Sequence, residues 1–261
     1  MKKNMNKNKF KFTRSDLLIV ISILIIKGSF LDWYYIPSGS MNPTLQVNDR
    51  VIVDMNAYDL KVPLTDLSII KNKTPDRGDV IIFKETNSDR IYIKRVVGKA
   101  GDQVRLDGHN IYINGTKVDS ELIESNESFS QYRQTIEGKE FIAQYDKRYD
   151  AISTILSKTA SGMLEITDVE TLSFMNKYRA LRKGAWVVPE GHLFVMGDNR
   201  DHSQDSRFSE VSFISENVVR GKASFILANM KPLEIGGMTI PFIPTSFTGF
   251  NRDLYHSNHT Q

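Results

Sequence analysis

One stretch decides the fold class of this chain: Ile91-Tyr92-Ile93-Lys94-Arg95-Val96-Val97. It is short, largely apolar and rich in β-branched residues, which favours a β-strand. Five further runs have the same character: 51–53, 80–83, 111–113, 185–188 and 193–196. Asn114-Gly115 follows one of these runs and predicts a hairpin turn, because both residues tolerate positive φ. No long apolar repeat of helical period follows residue 36, so the sequence predicts a mainly β body.

The body is predicted to be one β core interrupted by an insert. Residues 37–102 and 185–250 are expected to form the two halves of the core. Residues 103–184 include a long polar and charged region and are predicted to form an inserted β-rich subdomain. A partly disordered excursion is the alternative for this insert. Residues 251–261 form a polar tail.

The composition excludes several classes of site. The net charge is +3, but residues 1–14 hold six of the 34 Lys and Arg and none of the 31 acids. The rest of the chain is therefore slightly acidic, and nucleic-acid binding is not expected. The absence of Cys excludes disulfides, thiolate zinc sites and cysteine nucleophiles. None of the five His residues has metal-ligand spacing, so no metal or other cofactor is expected.

An apolar segment follows this basic tail, beginning at Leu17. The 20 residues from Leu17 to Ile36 would extend about 30 Å as a helix, which matches a bilayer core. Residues 33–35 are aromatic, as in an interfacial belt, and no Ala-x-Ala cleavage site follows the segment. We therefore predict an uncleaved transmembrane signal anchor at residues 15–36, with a cytoplasmic tail at 1–14. A cleaved signal peptide and a buried core helix are the alternatives.

Two serines lie just beyond this segment, in Ile-Pro-Ser-Gly-Ser-Met-Asn-Pro-Thr-Leu at residues 36–45. Gly39 permits a sharp turn and the two prolines restrict its flanks, which favours a presented hydroxyl and free backbone N–H groups. An ordinary Ser/Gly/Pro loop is the alternative. A serine nucleophile needs a base. His202 is adjacent to Asp201 and Ser203, but triad partners are usually distant in sequence, so an exposed loop explains it better.

Lys94 is the candidate base because it has apolar neighbours on both sides in its strand. Burial disfavours the ammonium form and is expected to lower the lysine pKa from about 10.4 toward neutrality. A drop of three units costs about 4 kcal/mol, which argues against a purely structural role. Strand alternation places Arg95 on the opposite face. The alternative is an edge-strand lysine whose amine reaches solvent.

A dense polar block, Gly-Asp-Asn-Arg-Asp-His-Ser-Gln-Asp-Ser-Arg at residues 197–207, follows the last apolar run. Such a block is either a solvated turn or a loop that supports a functional site. Three contacts are predicted for it: Asp198 with Arg95, Asp205 with Arg207, and Ser203 with Lys94.

Four blocks together resemble the bacterial type I signal peptidases, or leader peptidases, which are serine proteases with a Ser-Lys dyad. The blocks are residues 37–45, 77–80, 92–102 and 197–207. The resemblance covers roughly residues 30–102 and 185–228. It implies a membrane-anchored β core of signal peptidase type, with an inserted β-rich subdomain between its halves. The sequence departs from the family at Lys99-Ala100, where Leu-Pro is usual.

The resemblance implies a role for each candidate residue. Ser40 corresponds to the nucleophile and Lys94 to the general base. The Ser38 hydroxyl, with the Ser40 backbone N–H, corresponds to the oxyanion hole, and Ser203 to the residue that orients the lysine. The supporting charges are Arg95, Asp198, Asp205 and Arg207. The residues expected to line shallow substrate pockets are Ile36, Pro37, Met41, Leu45 and Ile93.

The resemblance also implies a function and a location. The protein is expected to cleave signal peptides from exported preproteins after Ala-x-Ala-like sequences, on the extracytoplasmic face of the bacterial cytoplasmic membrane. Its expected partners are preproteins and membrane phospholipid, and its oligomeric state is left open. Three alternatives stay open: a membrane-anchored binding or assembly protein, a Ser-Lys self-cleaving repressor, and a protease dedicated to one export or conjugation system.

Overall fold

A computed structural model describes residues 13–19, 22, 30–61, 68–71, 73–85, 90–150, 152, 173, 175, 181–249 and 252–254. Most of the basic tail, much of the predicted anchor and most of the polar C-terminal tail lie outside the described residues. The strands are β1 (Leu31–Tyr35), β2 (Asp49–Asp54), β3 (Asp59–Lys61), β4 (Ser68–Lys71), β5 (Val80–Lys84), β6 (Ile91–Gly98), β7 (Gln103–Asp107), β8 (Asn110–Ile113), β9 (Thr116–Lys117), β10 (Asp119–Ser125), β11 (Phe129–Ile136), β12 (Lys139–Asp146), β13 (Lys183–Val187), β14 (His192–Met196), β15 (Ile214–Ser215), β16 (Val219–Ile235), β17 (Met238–Thr248) and β18 (Arg252–Asp253). Residues 14–19 and 147–150 are helical, and single 3₁₀ turns form at Arg200–His202 and Glu216–Val218.

The main sheet carries the two halves of the core. Its antiparallel strand order is β1-β2-β16-β5-β6-β14-β15, and β17 and β18 also pair with β16. The apolar run in β5 is buried along both faces of the strand, as its uninterrupted hydrophobic sequence predicts. The mainly β fold predicted from the sequence is therefore confirmed. β6, which carries Lys94, lies between β5 and β14.

The described residues of the predicted insert contain seven strands, which form two smaller sheets together with residues up to 187. One sheet has the order β13-β7-β8-β9 and the other has the order β10-β11-β12. Asn114 and Gly115 make the predicted hairpin turn, with φ of 52° and 82°. One boundary differs from the sequence prediction. β13 pairs with β7, so residues 185–187, which were assigned to the core, complete the insert's sheet instead.

The insert and the main sheet share one apolar cluster. Val97 of β6 and Phe194 of β14 pack in the same buried group as Ile111 and Phe141 of the insert. Complete burial of one such side chain contributes roughly 1.5–3 kcal/mol. The described part of the insert is therefore not independently packed, because its core continues directly into the main sheet.

The predicted anchor is wrong at its C-terminal end. Residues 31–35 do not continue a helix but form β1, which pairs with β2 in the register Trp33 to Ile52. The aromatic and β-branched residues of these two segments favour pairing, and the Ile36 N–H continues it by donating to the Asp49 carbonyl at 3.0 Å. Among the residues that the structure describes, no helix has both the length and the apolar character needed to cross a bilayer.

Candidate active site

The two predicted serines lie in a compact loop between β1 and β2. Two backbone hydrogen bonds shape this loop, from Asn42 N–H to the Gly39 carbonyl at 3.1 Å and from Leu45 N–H to the Met41 carbonyl at 2.9 Å. Met41 and Leu45 are completely buried and hold the loop on the core. Ser40 is half-buried. The loop therefore presents the Ser40 hydroxyl from a backbone that is fixed by packing and hydrogen bonds.

Lys94 reaches Ser40 from the centre of the main sheet. Its Nζ donates to Ser40 Oγ at 2.8 Å and to the Ile93 carbonyl at 3.0 Å. The residue is 3% exposed. The predicted burial of Lys94 is thus confirmed, and the two side chains meet across 54 positions of sequence.

The environment of Lys94 weakens its hold on a proton. Burial lowers the pKa of Lys94 from 10.5 to about 8; Asp205 and Asp198 oppose this change, and Arg207 adds to it. At pH 8 about half of the amine is neutral, compared with about one molecule in 300 for an unperturbed lysine. A neutral amine can accept the proton of a serine hydroxyl, so this pair can form an activated nucleophile.

Two buried ion pairs support the lysine. Arg95 donates to both carboxylate oxygens of Asp198 at 2.8 and 2.7 Å, and neither side chain is exposed. The ring of Phe141 in the insert lies 4.0 Å from the Arg95 guanidinium, on the face of β6 opposite to Ser40. The Asp198 carboxylate also accepts from Thr44 Oγ1 at 2.6 Å, which ties the serine loop to the pair. The predicted Arg95–Asp198 contact is confirmed.

The second pair is Asp205 with Arg207, as the sequence predicts. The Arg207 Nε and Nη2 atoms donate to the two Asp205 oxygens, both at 2.8 Å, and both side chains are fully buried. Burial by itself would raise the pKa of Asp205, but the adjacent Arg207 makes the net shift downward. Asp205 therefore stays ionised, and its second role is to accept the Gly197 N–H at 2.9 Å.

The insert holds the loop that carries Asp198. The Gln144 N–H donates to the Asp198 carbonyl at 2.8 Å, and the Asp146 N–H donates to Asp201 at 2.7 Å. Arg182 clamps the same Asp201 carboxylate with two bonds of 2.7 Å. No role was predicted for this region, and the structure places it directly behind the site.

A family model described as "Signal peptidase, peptidase S26" matches residues 10–228. The chain belongs to this family. Signal peptidase I of Pseudomonas fluorescens is 33% identical over 200 residues, which make up 76% of this chain and 62% of that protein. Signal peptidase I of Buchnera aphidicola (subspecies Acyrthosiphon pisum) is 33% identical over 242 residues, or 85% of this chain and 76% of that protein.

A solved structure of signal peptidase I from Enterococcus faecalis is 22% identical to this chain, and the match has a TM-score of 0.32. It covers 58% of this chain and 98% of that structure. The chain spans less than two thirds of the length of the Pseudomonas fluorescens peptidase.

Not every residue suggested by the family resemblance makes its expected contact. Within the described part of the chain, no hydrogen bond joins Lys94 to Ser203; the amine donates to Ser40 and Ile93. Ser203 is nevertheless buried beside the site: a Cβ built on Gly197 would lie 2.3 Å from Ser203 Oγ. Ser203 therefore lies close to Gly197 without making the predicted hydrogen bond to Lys94.

The residues expected to line the substrate pocket divide into two groups. Ile36, Met41 and Leu45 are buried in the core beneath the serine loop, so their side chains form its foundation. Ile93 is half-buried and Pro37 is exposed, and these two residues border the open side. Ser38 is also exposed, two positions from Ser40.

Sequence reasoning missed two residues of this peptidase site. Thr44 anchors the serine loop to Asp198, as described above. Asn199 is 6% exposed, and its N–H and its Nδ2 donate to the Ser40 and Gly39 carbonyls at 3.1 and 2.9 Å. Both residues stand inside matched blocks, but their partners are distant in sequence, and no local pattern indicates those contacts.

Proposed function

We propose that this protein is a membrane-bound serine endopeptidase that removes N-terminal signal peptides from exported preproteins, cleaving after Ala-x-Ala-like sequences. The observation that carries the proposal is the 2.8 Å contact between a buried lysine amine and the Ser40 hydroxyl. Family membership supports the substrate class, since the relatives named above are signal peptidases.

In the proposed mechanism, neutral Lys94 takes the proton of Ser40 Oγ as the oxygen attacks the scissile carbonyl. The bond that Lys94 donates to the Ile93 carbonyl fixes the amine, so that its lone pair is directed at Ser40. The Ser38 hydroxyl and the Ser40 N–H stabilise the oxyanion, at about 2.7–4 kcal/mol per donor. Protonated Lys94 then gives its proton to the leaving amine, and water hydrolyses the acyl-enzyme.

Part of the expected substrate pocket is accessible beside Ser40. Met41 and Leu45 are 0% exposed, so their side chains are not available to a substrate. Exposed Pro37 and half-buried Ile93 are the members of the expected pocket that a substrate could contact. The preference for alanine is proposed from family membership.

Contact with phospholipid is also part of the proposal. Phe30, Leu31 and Trp33 are about half exposed at the start of the edge strand β1, in the C-terminal part of the segment predicted as the anchor. Exposed apolar and indole groups are favourable at a bilayer surface. We propose that the catalytic half lies on the extracytoplasmic face, where a signal peptide leaves the membrane, because the basic residues 1–14 favour a cytoplasmic N-terminus.

A covalent probe tests the enzyme assignment against an inactive scaffold. A serine-reactive acylating inhibitor such as a penem is expected to add to Ser40, as read by peptide mass spectrometry. The Ser40→Ala variant is expected to remain unlabelled, whereas the Ser209→Ala variant is expected to be labelled normally. Labelling of Ser40→Ala to the same extent as wild type would remove the assignment. Cleavage of a panel of preproteins in liposomes then distinguishes a general peptidase from a dedicated one.

The pH dependence follows from the lowered pKa of Lys94. Because the neutral amine is the base, kcat/KM is expected to rise about tenfold per pH unit below pH 8 and to level off above it. The measurement is kcat/KM for a synthetic signal-peptide substrate from pH 6 to pH 10. A midpoint near 10.5, the value for an unperturbed lysine, would contradict the proposal.

A further inference from the structure

We infer that Asn199 is a positioning residue that aims the Ser40 N–H at the oxyanion. The inference rests on the proposed function, because an oxyanion forms only if Ser40 attacks a carbonyl. It adds to that mechanism a residue that touches neither the substrate nor Lys94 and acts through one peptide group.

The geometry places Asn199 on the back of that peptide group. Asn199 Nδ2 donates to the Gly39 carbonyl at 2.9 Å, and the Asn42 N–H donates to the same oxygen at 3.1 Å. The Gly39 carbonyl and the Ser40 N–H belong to one planar trans peptide, so they point in opposite directions. Two donors that hold the carbonyl therefore fix the direction of the N–H.

The same contacts strengthen the N–H as a donor. A peptide carbonyl that accepts hydrogen bonds polarises its own N–H, and the effect is larger in a site that excludes water. Asn199 also contacts the peptide group that follows Ser40, since its backbone N–H donates to the Ser40 carbonyl at 3.1 Å. Both carbonyls that flank the Ser40 N–H are thus held by a single residue.

The surroundings of Asn199 indicate that its side-chain NH₂ group, and not its Oδ1 atom, makes the contact with the serine loop. The side-chain Oδ1 is buried and has no hydrogen-bond partner among the described residues. The unpaired Oδ1 makes asparagine unfavourable at this position. The hydrogen bond that its NH₂ group donates to the Gly39 carbonyl is what offsets this cost. The next residues begin the short 3₁₀ turn at Arg200–His202, which the insert holds through Arg200 and Tyr145 at 2.9 Å.

Two substitutions test the inference. Asn199→Ala removes the donor, and Asn199→Asp keeps the shape but replaces the donor with an acceptor facing the Gly39 carbonyl. We expect kcat to fall about 10- to 100-fold in Asn199→Ala and further in Asn199→Asp, with KM within about twofold of wild type. The expected loss is smaller than the 10²–10³ seen when an oxyanion donor itself is removed, because the N–H remains. Asn217→Ala, at an exposed position, is the matched control and should not change kcat.

Two further readouts separate this role from a structural one. Affinity for a peptide aldehyde, which forms a tetrahedral adduct with Ser40, should fall by the same factor as kcat/KM, whereas affinity for a non-reactive product peptide should not change. The pH midpoint of kcat/KM in Asn199→Ala should stay at the wild-type value, because this substitution changes no charge near Lys94; Asn199→Asp adds a carboxylate and should raise the midpoint, as Asp198 and Asp205 oppose the lowering of the Lys94 pKa. A shifted midpoint in Asn199→Ala, or a loss confined to KM, would overturn the inference.

Folding and the underlying enzyme assignment are controlled separately. Asn199→Asp decides the question alone if Asn199→Ala unfolds at the assay temperature. Failure of wild-type Ser40 to react with the acylating inhibitor would count against the proposed function. Wild-type reaction at Ser40 together with an unchanged acylation rate in both Asn199 variants would count against the role of Asn199 only.

Discussion

The Lys94→Met variant is expected to lose about 10⁴-fold in kcat/KM at pH 8 and above, the upper end of what a positioned acid–base group contributes, and less below pH 8, where wild-type Lys94 is itself protonated. The physical reason is that Ser40 has a hydroxyl with an ordinary, very weak acidity once the amine 2.8 Å away is gone. Methionine fills a similar apolar space and leaves the packing of β6 intact. The measurement is cleavage of a signal-peptide substrate between pH 6 and pH 10, with Lys117→Met, at an exposed position, as the control.

The same variant is expected to be more stable than wild type at neutral pH. A pKa lowered from 10.5 to about 8 means that the buried ammonium costs up to about 3 kcal/mol below pH 8. The unfolded chain binds the proton more readily, so wild-type stability rises between pH 8 and pH 10.5 and the difference between the proteins shrinks there. Denaturant unfolding at pH 7 and pH 10 measures this difference. An inactive but destabilised variant would show that activity was lost through misfolding.

The second large effect is expected for Gly197→Ala. A Cβ at this position would lie 2.4 Å from the Ser40 carbonyl oxygen and 2.3 Å from Ser203 Oγ, far closer than real contacts allow. Ser40 must therefore move, and a displacement of about 1 Å at a reacting group costs on the order of 10²-fold in rate. We expect kcat/KM to fall 10²- to 10³-fold, as measured with the same substrate.

Gly98→Ala is the matched control for this substitution. Its Cβ would also clash, at 2.6 Å from Val104, but in the apolar cluster shared with the insert and not beside Ser40. It is expected to lower the free energy of unfolding by about 1–3 kcal/mol while the remaining folded protein keeps its kcat. Equal losses of kcat in the two variants would show that general core strain, and not displacement of Ser40, explains the effect of Gly197→Ala.

The sequence predicted those parts of the site in which a charged residue lies in an apolar strand, because a buried charge must be neutralised or paired. Lys94 and Arg95 stand in an apolar strand, so each needs a neutral state or a partner, and Asp198 was the natural partner for Arg95. The buried strands could be predicted as well, because an uninterrupted run of apolar residues is stable only when it is removed from water.

The parts that sequence missed depend on context that no local pattern contains. Trp33 and its aromatic neighbours suit a membrane interface as well as they suit a strand, and only pairing with β2 decides between the two. Asn199 acts on two backbone carbonyls 160 positions away, and every residue type presents the same carbonyl. Two ties from β12, to Asp198 and to Asp201, likewise run through backbone N–H groups.

The strand β1 has a mechanical consequence for the whole protein. It joins residue 30 to the serine loop through five residues that are hydrogen-bonded along β2, a length of about 17 Å at 3.3–3.4 Å per residue. A paired strand neither stretches nor coils, so it acts as a rigid spacer of constant height. The Ser40 hydroxyl therefore stands at a fixed distance from residue 30, and β1 passes any displacement of that residue directly to the serine loop.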